Sequence, residues 1–172
     1  LWGSSSGAVL ALIAAANGLP ISKLALWEPP FIPEGYPRPP DDQVAQYERM
    51  VAEGRRGDAA EYFMTKVVGM PAEFVAKART EPWWPSQEAL AHTLAYDARI
   101  MGDYTVPTEL AGSVKVPTIV IAGGADFPWM RETATTLAEA LPEGQVRFLD
   151  GQGHDVDMTT LAPVLVEFFN RS

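Results

Sequence analysis

Residues 117–122, Pro-Thr-Ile-Val-Ile-Ala, form an apolar, β-branched run that stops at Gly123-Gly124-Ala125-Asp126. A strand with no polar side must be covered on both faces, the situation of a strand inside a parallel sheet. The pattern recurs. Residues 23–27 (Lys-Leu-Ala-Leu-Trp) predict a short buried strand ended by Glu28-Pro29-Pro30. Residues 145–149 (Gln-Val-Arg-Phe-Leu) predict another, followed by Asp150-Gly151-Gln152-Gly153-His154. Helices are expected between and beyond these strands. Residues 6–17 are rich in Ala and Leu and apolar nearly all round, so this helix is expected to be buried. Gly18 sits where a helix-ending glycine belongs, and Pro20 blocks continuation. A helix over 130–141 is closed by Pro142 and Gly144, and a last one begins between 157 and 163 and ends near 170.

The middle of the chain carries no strand pattern. Residues 31–40 (Phe-Ile-Pro-Glu-Gly-Tyr-Pro-Arg-Pro-Pro) hold too much proline for regular structure and read as a rigid connector. Helices are predicted over 42–53, 58–68, 72–79 and 87–101, with Asp41 or Asp42, Asp58 and Ser86 as N-caps for three of them. Strand–helix alternation at both ends implies an α/β fold, a parallel sheet flanked by helices. The expected division is a core of 1–30 and 111–172, with 31–110 inserted as an all-helical cap over the carboxyl edge of the sheet, where α/β proteins keep their sites.

Charge and composition narrow the partners. With 13 Lys plus Arg against 22 Asp plus Glu, the net charge of −9 disfavours nucleic acid and anionic membrane surfaces. No apolar run approaches a membrane span and the start lacks the basic segment of a signal peptide, so a cytoplasmic protein is expected. The 172 residues include no Cys, which removes disulfides and thiolate metal sites. Two histidines offer no ligand cluster, and the glycine-rich segments do not match dinucleotide or phosphate-loop spacing. No metal or organic cofactor is expected.

The chemistry is concentrated at three junctions. Gly3-Ser4-Ser5-Ser6-Gly7 places a serine between two glycines where a strand gives way to a helix. A serine on such a sharp turn is pushed out above the sheet, beside the N–H groups and positive dipole end of the following helix. The two glycines are expected to let neighbouring backbone pack closely. Asp126 ends one predicted strand and His154 follows the next, giving the chain order Ser…Asp…His. His92 lies mid-helix and reads as an ordinary surface residue. Asp155 and Asp157 sit near His154 but suit the cap of the last helix, and Asp103 ends a cap helix. Asp126 is therefore the expected acid.

The segments GSSSGAVLALIAAA, VPTIVIAGGAD and GQGHDV resemble the corresponding parts of the α/β-hydrolase fold family, in its esterase-like branch with a helical cap, and the likeness runs over essentially the whole chain. The resemblance implies Ser5 as nucleophile, Asp126 as acid and His154 as base, with the backbone N–H of Ser6 as one oxyanion donor. It also implies that the chain runs from the nucleophile turn through the family's last three strands. The N-terminal strands of that fold, and the loop that supplies its second oxyanion donor, have no counterpart here. The strand leading to Ser5 is reduced to Leu1-Trp2. We expect part of a longer hydrolase, a chain completed by an N-terminal segment or second copy, or a minimal protein with a rebuilt site. The expected activity is hydrolysis of a small, largely apolar carboxylic ester through an acyl-enzyme, with Trp83, Trp84 and Trp129 as candidate substrate-binding residues. A serine at the nucleophile position excludes the branches that use aspartate there. A non-catalytic ligand-binding protein, or a fragment inactive without its N-terminal half, are the alternatives.

Overall fold

The computed structural model describes residues 1–171. Four parallel strands, β1 (Trp2–Ser4), β2 (Leu24–Trp27), β3 (Thr118–Ala122) and β4 (Gly144–Phe148), stand side by side in chain order. Their register aligns Gly3 with Leu26, Leu26 with Val120, and Val120 with Val146. Every residue of β2 and β3 is buried, as their apolar runs require. The edge strands differ. β1 extends past Trp2 because Gly3 and Ser4 pair with Leu26 and Trp27. In β4, Val146 and Phe148 are 40% and 38% exposed, since an edge strand is covered less completely than an inner one.

The helices are α1 (Ser6–Ala16), α2 (Gln43–Ala52), α3 (Arg56–Tyr62), α4 (Ala72–Ala78), α5 (Trp84–Leu90), α6 (Leu94–Met101), α7 (Thr108–Ser113), α8 (Met130–Ala140) and α9 (Met158–Asn170). The chain forms two compact units, one of Leu1–Tyr36 with the chain from Tyr104 onward, the other Pro37–Asp103. The boundaries expected at 31 and 110 thus fall inside the sheet unit, for a physical reason. Phe31 is 2% exposed and its carbonyl accepts from Thr133 Oγ1 at 2.7 Å, while Ile32 N–H donates to the Tyr104 carbonyl at 2.7 Å. In addition, α7 packs against both α1 and α8.

With strands in simple order, right-handed crossovers place α1, α7 and α8 on one face of the sheet. The other face carries α9, whose Leu161 and Phe168 join Ala25, Trp27, Ile119, Ile121 and Leu149 in one apolar cluster. Asp157 caps α9: its Oδ1 accepts from both the N–H and the hydroxyl of Thr159, each at 2.8 Å. Those bonds, the backbone one foremost, hold its carboxyl below the usual carboxylate range.

The helical unit has its own core. Tyr47, Met50, Ala59, Ala91, Ala95 and Ala98 form one cluster, with the Tyr47 and Tyr62 rings edge to face at 5.4 Å. The helix expected over 58–68 begins at Arg56 and passes into a π-helical turn, Phe63–Val67; the one expected over 87–101 begins at Trp84 and is interrupted by a 3₁₀ turn, Ala91–Thr93. Pro85 in the first turn accounts for the earlier start. Of the expected caps, Asp42 precedes α2 but gives its carboxylate to Gln46 Nε2 at 2.6 Å rather than to a backbone N–H, and Asp58 and Ser86 lie inside their helices. Asp58 instead binds Arg55 at 2.7 Å and Arg79 at 3.0 Å, and both contacts lower its carboxyl pKa, Arg55 the more.

Two glycines test this packing with opposite signs. A Cβ on Gly144 would lie 2.1 Å from the Ala138 carbonyl oxygen, whereas one on Gly112, inside α7, meets nothing closer than 3.8 Å. In urea denaturation, Gly144→Ala is expected to destabilise the chain by about 1–3 kcal/mol. Gly112→Ala is expected to stabilise it by up to about 1 kcal/mol.

Candidate active site

Each strand delivers one polar residue to the carboxyl edge of the sheet. Ser5 follows β1, Glu28 follows β2, Asp126 lies in the loop after β3, and His154 in the loop after β4. The ladder continues past the strand ends: Ser5 N–H donates to the Trp27 carbonyl at 2.9 Å, Glu28 N–H to that of Ile121 at 2.9 Å, and Leu149 N–H to that of Ala122 at 3.0 Å. The serine and the glutamate are thereby fixed on adjacent strands.

Ser5 has φ 55° and ψ −131°, a left-handed conformation that costs an L-residue on the order of 1–3 kcal/mol. Its carbonyl accepts from Ala8 N–H at 2.9 Å, which starts α1, while its side chain makes no cap bond and stays available. Ser6 is the first residue of α1, where the helix itself offers no acceptor for the backbone N–H. Gly3 is required: a Cβ there would sit 2.4 Å from the Gly7 carbonyl oxygen. Gly7 is not, since nothing lies within 4 Å of a Cβ built on it. Close packing at this turn is thus one-sided.

The imidazole of His154 does not pair with Asp126. Its Nδ1–H donates to Glu28 Oε2 at 2.8 Å. Glu28 Oε1 accepts from the N–H groups of Gly123 and Gly124 at 2.9 and 3.0 Å. The glutamate is 1% exposed and holds φ 40°, so two of the three non-glycine residues with positive φ among the described residues, Ser5 and Glu28, flank this edge. An ionised carboxylate only accepts, so a neutral imidazole in this pair carries its proton on Nδ1 and a lone pair on Nε2. Asp126 is exposed, and its Oδ2 accepts from the backbone N–H of His154 at 2.8 Å. The acid expected from the sequence therefore binds the histidine's main chain, and the carboxylate on its ring comes from the preceding strand. Asp150 pairs with Arg131 at 2.6 Å at the surface. Among the described residues, no group of three or more His, Asp or Glu could hold a metal ion, and no helix is long and apolar enough to cross a membrane.

The tryptophans separate. Trp129 is half-buried within a row of rings leading from the histidine: Phe127 meets the His154 ring edge-on at 6.2 Å, Trp129 lies 5.7 Å from Phe127, and Tyr36 6.3 Å from Trp129. Trp84 belongs to the core of the helical unit, 3% exposed among Ala60, Val75 and Ala78, with its indole N–H given to Glu88 at 2.8 Å. Its expected role in substrate binding is thus replaced by a packing role. Trp83, beside it, is 45% exposed. His92 is exposed and its Nδ1 lies 3.1 Å from the Ala89 carbonyl oxygen, one turn back on its own segment.

No protein-family model and no curated protein matches the sequence. Solved structures do. An α/β hydrolase from Sphaerobacter thermophilus DSM 20745 is 48% identical with a TM-score of 0.86, covering 98% of this chain and 66% of that one. This chain belongs to the α/β-hydrolase fold family. MenH from S. aureus (21% identity, TM-score 0.58, 98% of this chain and 66% of that one) and an esterase from Exiguobacterium antarcticum (19%, 0.63, 99% and 66%) share the fold. The chain spans 66% of the length of each of these three proteins, in keeping with a partial α/β-hydrolase fold.

Within this α/β-hydrolase edge the β3 and β4 loops are in direct backbone contact. A Cβ on Gly123 would lie 2.0 Å from the Gln152 carbonyl oxygen, and Ala125 N–H donates to that same oxygen at 3.1 Å. Gly123→Ala is expected to part the two loops. In hydrogen-exchange measurements the amides of Ala125 and His154 should then exchange at least about tenfold faster, a loss of about 1.4 kcal/mol of local protection. Amides of α2 and α6 should be unchanged.

Proposed function

We propose that this protein is a serine hydrolase that cleaves small, largely apolar carboxylic esters through an acyl-enzyme on Ser5. The observation that carries this reading is the strained serine, φ 55°, on the strand adjacent to the one that supplies the buried carboxylate of His154 Nδ1. Backbone strain at a polar residue is retained where the surrounding structure enforces it, and a nucleophile at a strand-to-helix turn is a use that explains it. The 48% identical α/β hydrolase supports the reaction class.

In this reading His154 Nε2 takes the Ser5 hydroxyl proton as Oγ attacks the substrate carbonyl. The negative charge that develops on the carbonyl oxygen is met by Ser6 N–H at the start of α1, where the helix dipole adds to the hydrogen bond. The imidazolium then gives its proton to the leaving alcohol. Water, deprotonated by the same nitrogen, attacks the acyl-enzyme; the acyl–Oγ bond breaks, the imidazolium returns the proton to Ser5 Oγ, and the acid is released. Phe127, Trp129 and Tyr36 form an aromatic strip continuous with the imidazole, which favours an apolar or planar group on the substrate. The acidic surface, net charge −9, disfavours highly anionic substrates.

A fluorophosphonate probe tests the nucleophile without need of turnover. The adduct is expected on Ser5, absent from Ser5→Ala and slowed by orders of magnitude in His154→Ala. An adduct at another residue, or none on the folded protein, would refute the reading. On a series of p-nitrophenyl esters, Trp129→Ala should lower kcat/KM for the longer or aromatic acyl groups by about tenfold, equivalent to about 1.4 kcal/mol of pocket contact, and leave acetate nearly unchanged.

A further inference from the structure

His154 is held at three of its atoms. Its backbone N–H donates to Asp126 Oδ2 at 2.8 Å, its carbonyl accepts from the Trp27 indole N–H at 3.0 Å, and its Nδ1–H donates to Glu28 Oε2 at 2.8 Å. Of the groups on this residue that can form hydrogen bonds, Nε2 is the one outside this set. Two carboxylates thus serve one histidine, and they differ in nearly every respect.

Glu28 is buried and carries three donors on its two oxygens. Its electrostatic pull on the ring is little screened by water. Asp126 is exposed and lies against the main chain: a Cβ on Gly153 would come within 2.3 Å of its Oδ2. Position 153 therefore has to stay glycine for the Asp126 carboxylate to reach the N–H of His154. The donors to Glu28 Oε1 are the N–H groups of Gly123 and Gly124, at the root of the loop that carries Asp126. Glu28 ties the ring to the β3 exit, and Asp126 ties the β3 loop to the β4 loop.

We propose that the two acids divide a task expected of one: Glu28 orients the imidazole and sets its tautomer, and Asp126 is a positioning residue for the backbone of the His154 loop. The consequences for catalysis rest on the serine-hydrolase reading; the division itself does not.

The two amide variants separate the roles by simple hydrogen-bond accounting. In Glu28→Gln, one terminal atom becomes an NH₂ donor. It must face either the two glycine N–H groups or Nδ1–H, and both are donors. The ring can answer by moving its proton to Nε2, which removes the lone pair needed for base catalysis. Such a tautomer error costs roughly 10⁴ in kcat in a serine triad. In Asp126→Asn, the one bond required is the acceptance of a backbone N–H, which the amide oxygen can provide.

The direct test is ¹⁵N NMR of the two histidines in the full chain, with His92→Gln used to assign His154. The proton is expected on Nδ1 of His154 in the unmodified chain and in Asp126→Asn, and on Nε2 or in mixed tautomers in Glu28→Gln. In parallel, Glu28→Gln should lower kcat by about 10³–10⁴ with KM little changed. Asp126→Asn should stay within about tenfold of the unmodified chain and Asp126→Ala should fall below Asp126→Asn, since the conservative change restores the backbone acceptor. Loss of the Nδ1 proton in Asp126→Asn, or its full retention in a folded Glu28→Gln, would overturn the division. If Glu28→Gln does not fold, Asp126→Asn alone decides. The NMR result needs no turnover, so failure of Ser5 to react with the probe would refute the hydrolase reading and leave this one standing or falling by itself.

Discussion

A carboxylate leaves water only where other donors replace the water, and Glu28 finds three at one spot. They come from two parts of the edge it organises: two from the turn that ends β3 and one from the histidine that follows β4. The glutamate is itself fixed at the end of β2, its N–H bound to the Ile121 carbonyl on β3. One buried side chain therefore couples the exits of three neighbouring strands. The backbone accepts a positive φ of 40° to aim it. Without that anchor the imidazole has no partner for Nδ1, and the glycine turn at 123–124 has two unsatisfied N–H groups.

The sheet turns this local arrangement into a site. Parallel strands point their carboxyl ends the same way, and simple neighbour order sets residues 5, 28, 126 and 154 in sequence along one rim. β2 and β3 are buried throughout, so a one-residue slip in register would exchange the side chains packed on the two faces of the sheet. Strain is placed where rigidity can hold it, at Ser5 and Glu28 on adjacent strands. Gly3 completes the arrangement by letting the chain at Gly7 approach β1.

Some of this was legible from residues alone. The apolar runs gave away β2 and β3, and the serine between glycines marked the turn before α1. Glu28 was hidden by its neighbours, because Glu-Pro-Pro after a strand reads as a terminator, and the strand-end acid is looked for after β3. The missed signal was a charged residue placed directly after a fully apolar strand, one step along the ladder from Ser5. Trp84 misled in the opposite sense. Two tryptophans between prolines suggest a pocket lining, but one of them fills the core of its own helical unit, where Glu88 satisfies its indole. The edge strand β4 was found, yet its exposure depends on what stands beside it, which no local pattern records. Contacts between distant segments, here Glu28 with Gly123, Gly124 and His154, are set by topology rather than by any local sequence motif.

A buried glutamate from β2, and not the aspartate after β3, holds the ring of His154, and Ser5 on the adjacent strand is the proposed nucleophile. A high-resolution crystal structure of the chain phosphonylated at Ser5 tests it most directly. In that structure His154 Nε2 is expected to face the adduct, with Nδ1 within hydrogen-bond reach of Glu28 near the present 2.8 Å and Asp126 on the main-chain N–H. A ring turned so that Nδ1 meets the Asp126 carboxylate, with Glu28 withdrawn to the glycine turn, would contradict it.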